Sequence, residues 1–261
     1  MTSTMQINAR TIPTKHHSIP SNEWRTRVDL AAAYRLTALF GWDDLVFTHI
    51  SARVPGTHDF LINPYGMMFE EITASSLIKI DLAGNKLEPS PHEINPAGFT
   101  IHSAVHEARS DAGCVWHTHS INGLAVSAQA EGLLPLTQTS LFVLASLAYH
   151  DYEGLAVNEE EKPRLVRDLG DKSVMMLRNH GLLTVGKTIA DAFVAMYQAE
   201  SACMAQVRPQ AGGGMLTRIP QAILDDIGRQ ARITTREMNM DALVWPGLLR
   251  RLDRRMPGYE L

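Results

Sequence analysis

The chain has 261 residues, 45% hydrophobic, 7% aromatic and 20% charged, with 24 Lys and Arg against 28 Asp and Glu and a formal net charge of -4. That length and apolar content support a sizeable buried core and exclude a disordered tail protein, while the acidic balance supplies no basic field for nucleic acid. Only Cys114 and Cys203 are present, in no CxxC pattern, so neither a disulfide framework nor a cysteine zinc site is expected.

Residues 1–22 mix Thr, Ser, Lys15, His16 and His17 without an apolar run and read as a mobile N-terminal arm. No secretory segment or membrane span is recognisable, and a cytoplasmic protein is expected. From Glu23 to Phe40, Val28, Ala31, Ala32, Leu36, Leu39 and Phe40 recur at helical spacing, with Gly41 as C-cap. Alternating stretches at 47–54, 60–63 and 76–82 are separated by Pro55-Gly56 and Pro64-Tyr65-Gly66 and predict antiparallel strands. Asn95-Pro96 is a helix start, Asn accepting orphan amide bonds and Pro fitting the first helical position, with the helix running to about Ser110. The run 114–119 predicts a strand, and Ser120 the cap of a short helix. Asn158, with Glu159, Glu160 and Glu161 at the positive end of the dipole, opens a helix stopping at Gly170. Strands at 173–177 and 182–185 flank Arg178-Asn179-His180-Gly181, and Thr188 caps a helix to about Val207. Gly212-Gly213-Gly214 reads as a flexible link, and the basic remainder is helical. The mixed order points to an α/β layered domain over 23–208 and a C-terminal helical extension over 209–261.

The 11 histidines pose the question of a site, since imidazole is the commonest metal ligand and the usual acid/base near neutral pH. His117 and His119 flank Thr118, and residues two apart on a strand share a face, so both imidazoles can meet one ion. His180 sits at a tip between two apolar strands, where it serves no packing purpose. Three neutral histidines with an open position suit a catalytic divalent ion; the plain alternative is a polar turn residue. His102 and His106 lie one helical turn apart, either a metal face or a polar seam. Gly181 to Thr188 matches the phosphate-loop pattern GxxxxGK[ST], but Leu182-Leu183-Thr184-Val185 is a strand run and not a turn of converging amides.

These residues carry a resemblance. Trp116-His117-Thr118-His119, the later Leu177-Arg178-Asn179-His180-Gly181-Leu182-Leu183, the upstream 61–81 segment and Asn95 to His106 resemble the class II aldolase/adducin superfamily, especially its adducin-type bacterial branch, over about residues 25 to 208. The resemblance implies an α/β/α layered domain with a central, mostly antiparallel sheet, a homotetramer with sites between subunits, and a divalent ion, Zn2+ first with Mn2+ or Fe2+ as alternatives, on His117, His119 and His180. Sugar-phosphate aldolases of the family carry a Ser-Ser-Glu or Ser-Ser-Asp segment at the helix start, where this chain has Pro96, Ala97 and Gly98. The carboxylate and both hydroxyls are missing, which argues against a phosphorylated sugar, although helix amides there can bind a carboxylate.

The reaction expected is therefore a metal-dependent carbon-carbon lyase step, decarboxylase or aldolase-like, on a small hydroxy or oxo carboxylic acid. Gly98 leaves space one turn below His102, so His102 is expected to approach the ion or its water. Tyr65, Glu71 and Thr73 are placed on an adjacent loop, with Tyr65 and Glu71 as further catalytic candidates and Glu70 and Glu93 as other carboxylate donors. A non-haem iron oxygenase on the same ligands and a non-catalytic adducin-like assembly protein are the alternatives.

Overall fold

A computed structural model describes residues 19–155, 158–235 and 238–261, without the side chains of 231–235. Most of the expected N-terminal arm, with His16 and His17, lies outside the described residues. Helix α1 spans Ser21–Phe40 and ends at Gly41, whose left-handed φ of 70° lets its N–H close on Ala38. Strands β1 (His49–Arg53), β2 (Phe60–Ile62) and β3 (Ile78–Ile80) follow as an antiparallel meander. Helix α2 is Pro96–Ala108, with the Asn95 side chain accepting from the Ala97 N–H. Next come β4 (Cys114–Thr118) and α3 (Ile121–Ser127). The hydroxyl of Ser120 donates to Glu200 instead of capping α3.

Helix α4 (Gln138–Leu144) and β5 (Leu147–His150) were not anticipated, because the run before His150 is short and has no turn signal after it. Glu159–Glu161 form a single 3-10 turn entering α5 (Lys162–Leu169). Strands β6 (Val174–Leu177) and β7 (Gly181–Gly186) precede α6 (Ile189–Gly212), which continues five residues beyond Val207 and is closed by Gly213 at φ 65°. The glycine run is thus partly helix and partly cap. Strand β7 contains the segment that mimics a phosphate loop, and the Thr188 hydroxyl caps α6 by accepting from the Asp191 N–H.

The seven strands form one sheet in the order β3-β2-β1-β4-β7-β6-β5, antiparallel except for β5 beside β6. Side chains alternate between two covered faces. Cys114, Trp116, Ile50, Ala52 and Leu182 face the main core under α1 and α6, whereas Val115, Leu183 and Val185 face the second core with Ile101 and Val105 of α2. His49, Ser51 and His117 share the period of that second face.

The final helices are α7 (Gln221–Thr235), α8 (Met240–Leu243) and α9 (Trp245–Arg255). Trp245, Leu252 and Tyr259 are buried in the main core, the Trp245 indole donates to Asp29, and the Ala74 and Ser75 amides donate to the Tyr259 and Leu261 carbonyls. The segment read as an extension is therefore packed onto α1 and the loop after β2. Among the described residues no helix is long and apolar enough to cross a membrane.

Candidate metal centre

Strand β4 carries His117, and His119 just beyond its end, to the sheet end that meets the β6–β7 turn. Asn179 adopts φ 56°, a conformation its short polar side chain tolerates, and Gly181 follows at φ 147°. A Cβ on residue 181 would stand 2.4 Å from the Thr118 carbonyl oxygen, so glycine is required where this turn presses onto β4. The result puts His180 beside the pair: its ring centroid is 4.8 Å from that of His117 and 5.0 Å from that of His119. One ligand atom from each of the three lies within 4.8 Å of the others, the one such group of three or more among the described residues.

The tautomers follow from the partners. The Nδ1–H of His117 donates to the Leu182 carbonyl at 2.9 Å, and that of His119 to Asp44 Oδ2 at 2.8 Å. Both Nε2 atoms are left with lone pairs, and they face each other at 3.0 Å. Two imidazole lone pairs so close repel unless a cation lies between them, and two ligands of one tetrahedral zinc ion would be roughly 3.3 Å apart at metal–nitrogen distances near 2.05 Å. The donor set therefore fits a divalent ion, with a carbonyl and a carboxylate orienting the rings from behind. Burial holds the His117 imidazolium far below its usual range, aided by His180, His49 and His119, and burial followed by His119 and His150 lowers His180 to about 4. His117 and His180 are thus neutral and ligand-ready at neutral pH.

His102 does not join it. Its Nε2 accepts from His49 Nδ1 at 2.8 Å and its Nδ1 is bonded to Ser51 Oγ, which also contacts His106 Nε2 at 2.7 Å. Because His106 Nδ1–H donates to the Ala112 carbonyl, the proton order is set along the chain. Ser51 donates to His106, His102 Nδ1–H donates to Ser51, and His49 Nδ1–H donates to His102. Both nitrogens of His102 are spent, which corrects the expectation that it approaches the ion. The space expected at Gly98 is also filled: a Cβ there would lie 2.6 Å from His49 Cδ2. The imidazole of His49, its centroid 5.0 Å from that of His117 and tilted 34° to it, stands against the helix start at Gly98.

Glu71 accepts from the Met68 N–H at 2.7 Å and closes its own turn, while Glu93 is paired with Lys86. Tyr65 is exposed on the turn after β2, Glu70 is exposed beside Asp43, and Thr73 accepts from the Ser76 N–H. None of these belongs to the histidine group. Sequence reading missed His49 and Asp44. For His49 the signal was its period-2 partnership with Ser51 on a strand whose other face is apolar; Asp44 meets His119 across 75 positions and had no local signal.

Comparison with known proteins shows the family of the fold. The family described as Class II Aldolase and Adducin N-terminal domain matches residues 28–207. A Pseudomonas aeruginosa protein provisionally named as an aldolase class 2 protein is 58% identical over 256 residues, covering 94% of this chain and 98% of that one. Mouse alpha-adducin is 47% identical over 192 residues, 72% of this chain and 26% of adducin. The structure of L-fuculose 1-phosphate aldolase from Glaciozyma antarctica PI12 superposes with a TM-score of 0.76 at 26% identity, covering 94% of this chain and 96% of that one. The chain belongs to the class II aldolase/adducin superfamily.

Proposed function

We propose that the protein is a divalent-metal-dependent carbon-carbon lyase, aldolase-like or a decarboxylase, acting on a small hydroxy or oxo carboxylic acid. The observation that carries this reading is the convergence of the Nε2 atoms of His117 and His119, tautomer-locked by Leu182 and Asp44, with His180 alongside. These three residues would hold the ion, Zn2+ before Mn2+ or Fe2+, which when bound supplies a Lewis acid for a substrate oxygen and for developing enolate charge. Leu182 and Asp44 keep the rings aimed, and the Ser51–His102–His49 chain holds a neutral imidazole against His117.

An acid substrate, in preference to the phosphorylated sugar named for the Glaciozyma enzyme, is supported at the start of α2. Ser-Ser-Glu is replaced there by Pro96-Ala97-Gly98, and Asn95 takes the N–H groups of Ala97 and Phe99. Pro96 has none, so the Gly98 amide is the first-turn donor left for a carboxylate. A homotetramer, as the resemblance to the class II aldolase/adducin superfamily implies, is part of the proposal.

Purified protein should contain a divalent ion that His117→Ala removes from the triad, and screening small hydroxy and oxo acids should yield a carbonyl product or carbon dioxide that requires the ion. Wild-type protein with no divalent metal at micromolar concentration would sink the enzymatic reading in favour of an adducin-like assembly role, which the 47% identity to alpha-adducin supports. Oxygen consumption with turnover would replace the lyase by an iron oxygenase.

A further inference from the structure

Glu200 is 5% exposed, on the face of α6 that covers the start of α3. Its carboxylate gathers three neutral donors. The Ser120 hydroxyl and the Gly123 N–H reach Oε2 at 2.6 and 3.1 Å, and the Asn122 side-chain amide reaches Oε1 at 2.6 Å. A carboxylate is kept out of water only where hydrogen bonds offset its desolvation, and here all three come from the four residues that follow His119. Those residues do not hold themselves in place. Helix α3 has seven residues, too few to persist alone, and the Ser120 side chain makes no cap bond to it.

The opposite side of the same turn meets β7. A Cβ on residue 123 would stand 2.8 Å from Leu182 Cδ1, so a glycine lets α3 press directly onto Leu182. The Leu182 carbonyl accepts the Nδ1–H of His117 at 2.9 Å. The first turn of α3 is therefore held between Glu200 and the residue that aims His117, and it is continuous with His119.

We propose that Glu200 is a positioning residue of the metal centre. By tying the first turn of α3 to α6 it fixes the chain leaving His119 and seats Gly123 on Leu182, so that the Nε2 atoms of His117 and His119 converge at 3.0 Å. The inference rests on the reading of His117, His119 and His180 as metal ligands. A carboxylate that served stability alone would leave the rings where they are in every variant that folds.

Full-length Glu200→Ala, Glu200→Gln and Leu252→Ala test this, with Zn2+ competed against a chelating dye. Leu252 lies in the main core and touches none of these groups. Glu200→Ala should bind zinc about 10-fold more weakly than wild type. Glu200→Gln, whose amide oxygen still accepts from Ser120 and Gly123, should recover most of that loss. Leu252→Ala should melt at a lower temperature and keep zinc affinity within about twofold. Nitrogen-15 spectra of the metal-free proteins give a readout that needs no ion: Glu200→Ala should shift the His117 and His119 ring resonances and Glu200→Gln should not. Ser120→Ala removes one of the three bonds and carries the same test with a milder perturbation, should Glu200→Ala fail to fold. Wild-type zinc affinity and wild-type ring resonances in Glu200→Ala, or in Ser120→Ala in its place, overturn the proposal and leave the triad standing. An equal loss of affinity in Leu252→Ala also overturns it, because general destabilisation would then account for the effect. Wild-type protein that binds no zinc overturns the triad instead, and the metal-free ring resonances then decide whether Glu200 orders the histidines.

Discussion

Lowering the pH of the metal-free protein from about 7.5 to about 5.5 should destabilise it severely, through histidines that the fold keeps neutral. His49, His102, His106 and His117 are each at most 2% exposed. Burial, the largest cause in every case, lowers His49 and His106 to about 3 and places His102 and His117 far below the usual histidine range. Arg53 adds to the effect at His106, His49 at His102, and His180 at His117. In the unfolded chain all four titrate near 6.5. The unfolded state therefore binds protons that the folded state refuses, so stability falls as pH drops through about 6.5 and continues falling towards about 3. Each histidine contributes about 1.4 kcal/mol over the two pH units, and the four together about 5 kcal/mol, comparable with the whole stability of many domains. The carboxylates held below their usual range, such as Asp111 and Asp226, titrate below this window. Urea denaturation of chelator-treated protein at both pH values measures the loss, and His106→Gln should make the pH-dependent part smaller by about 1.4 kcal/mol. Equal denaturation midpoints at the two pH values would refute the reasoning, because they would require the four imidazoles to be protonated, or hydrated, in the fold.

Further predictions concern the groups that order the site. Gly98→Ala places a methyl 2.6 Å from His49 Cδ2; it should cost about 1–3 kcal/mol and displace the His49 ring from His102, seen as a thermal-melt decrease with a shifted His49 imidazole resonance. Ser51→Ala leaves His106 Nε2 and His102 Nδ1 without their shared partner and should cost about 1–3 kcal/mol per orphaned nitrogen, with thermal denaturation as the check. Asp44→Ala removes the acceptor behind His119 while touching only the edge of the fold. Zinc affinity at the triad should fall about 10- to 100-fold with stability changed by less than about 0.5 kcal/mol, measured by competition with a chelating dye and by urea denaturation.

Much of the molecule was legible along the chain where the determinant is local. Asn95-Pro96 starts a helix because both residues answer the needs of its first turn, and Gly41 ends one because it accepts a left-handed conformation. His117 and His119 share a face because a strand repeats every two residues, and His180 stood out as a polar residue at the tip between two apolar strands, where the αL Asn179 turn brings it to them. Strand β5 escaped because its partner β6 lies beyond α5, and a parallel pairing leaves no hairpin turn to read. The C-terminal helices carried the periodicity of helices but no sign that Trp245 and Leu252 complete the core under α1.

The site divides along the same line. Residue types and spacing determined which imidazoles share an edge of the sheet, and the absence of a carboxylate at position 98. Tertiary structure decided what stands against position 98, because His49 reaches Gly98 only when β1 pairs with β4 and α2 lies across both. It also decided that His102 is committed to His49 and Ser51, and that Asp44 orients His119. These are contacts across 51 to 75 positions, made by packing two layers onto a sheet, and a linear pattern encodes no such distance until the register of the strands is known.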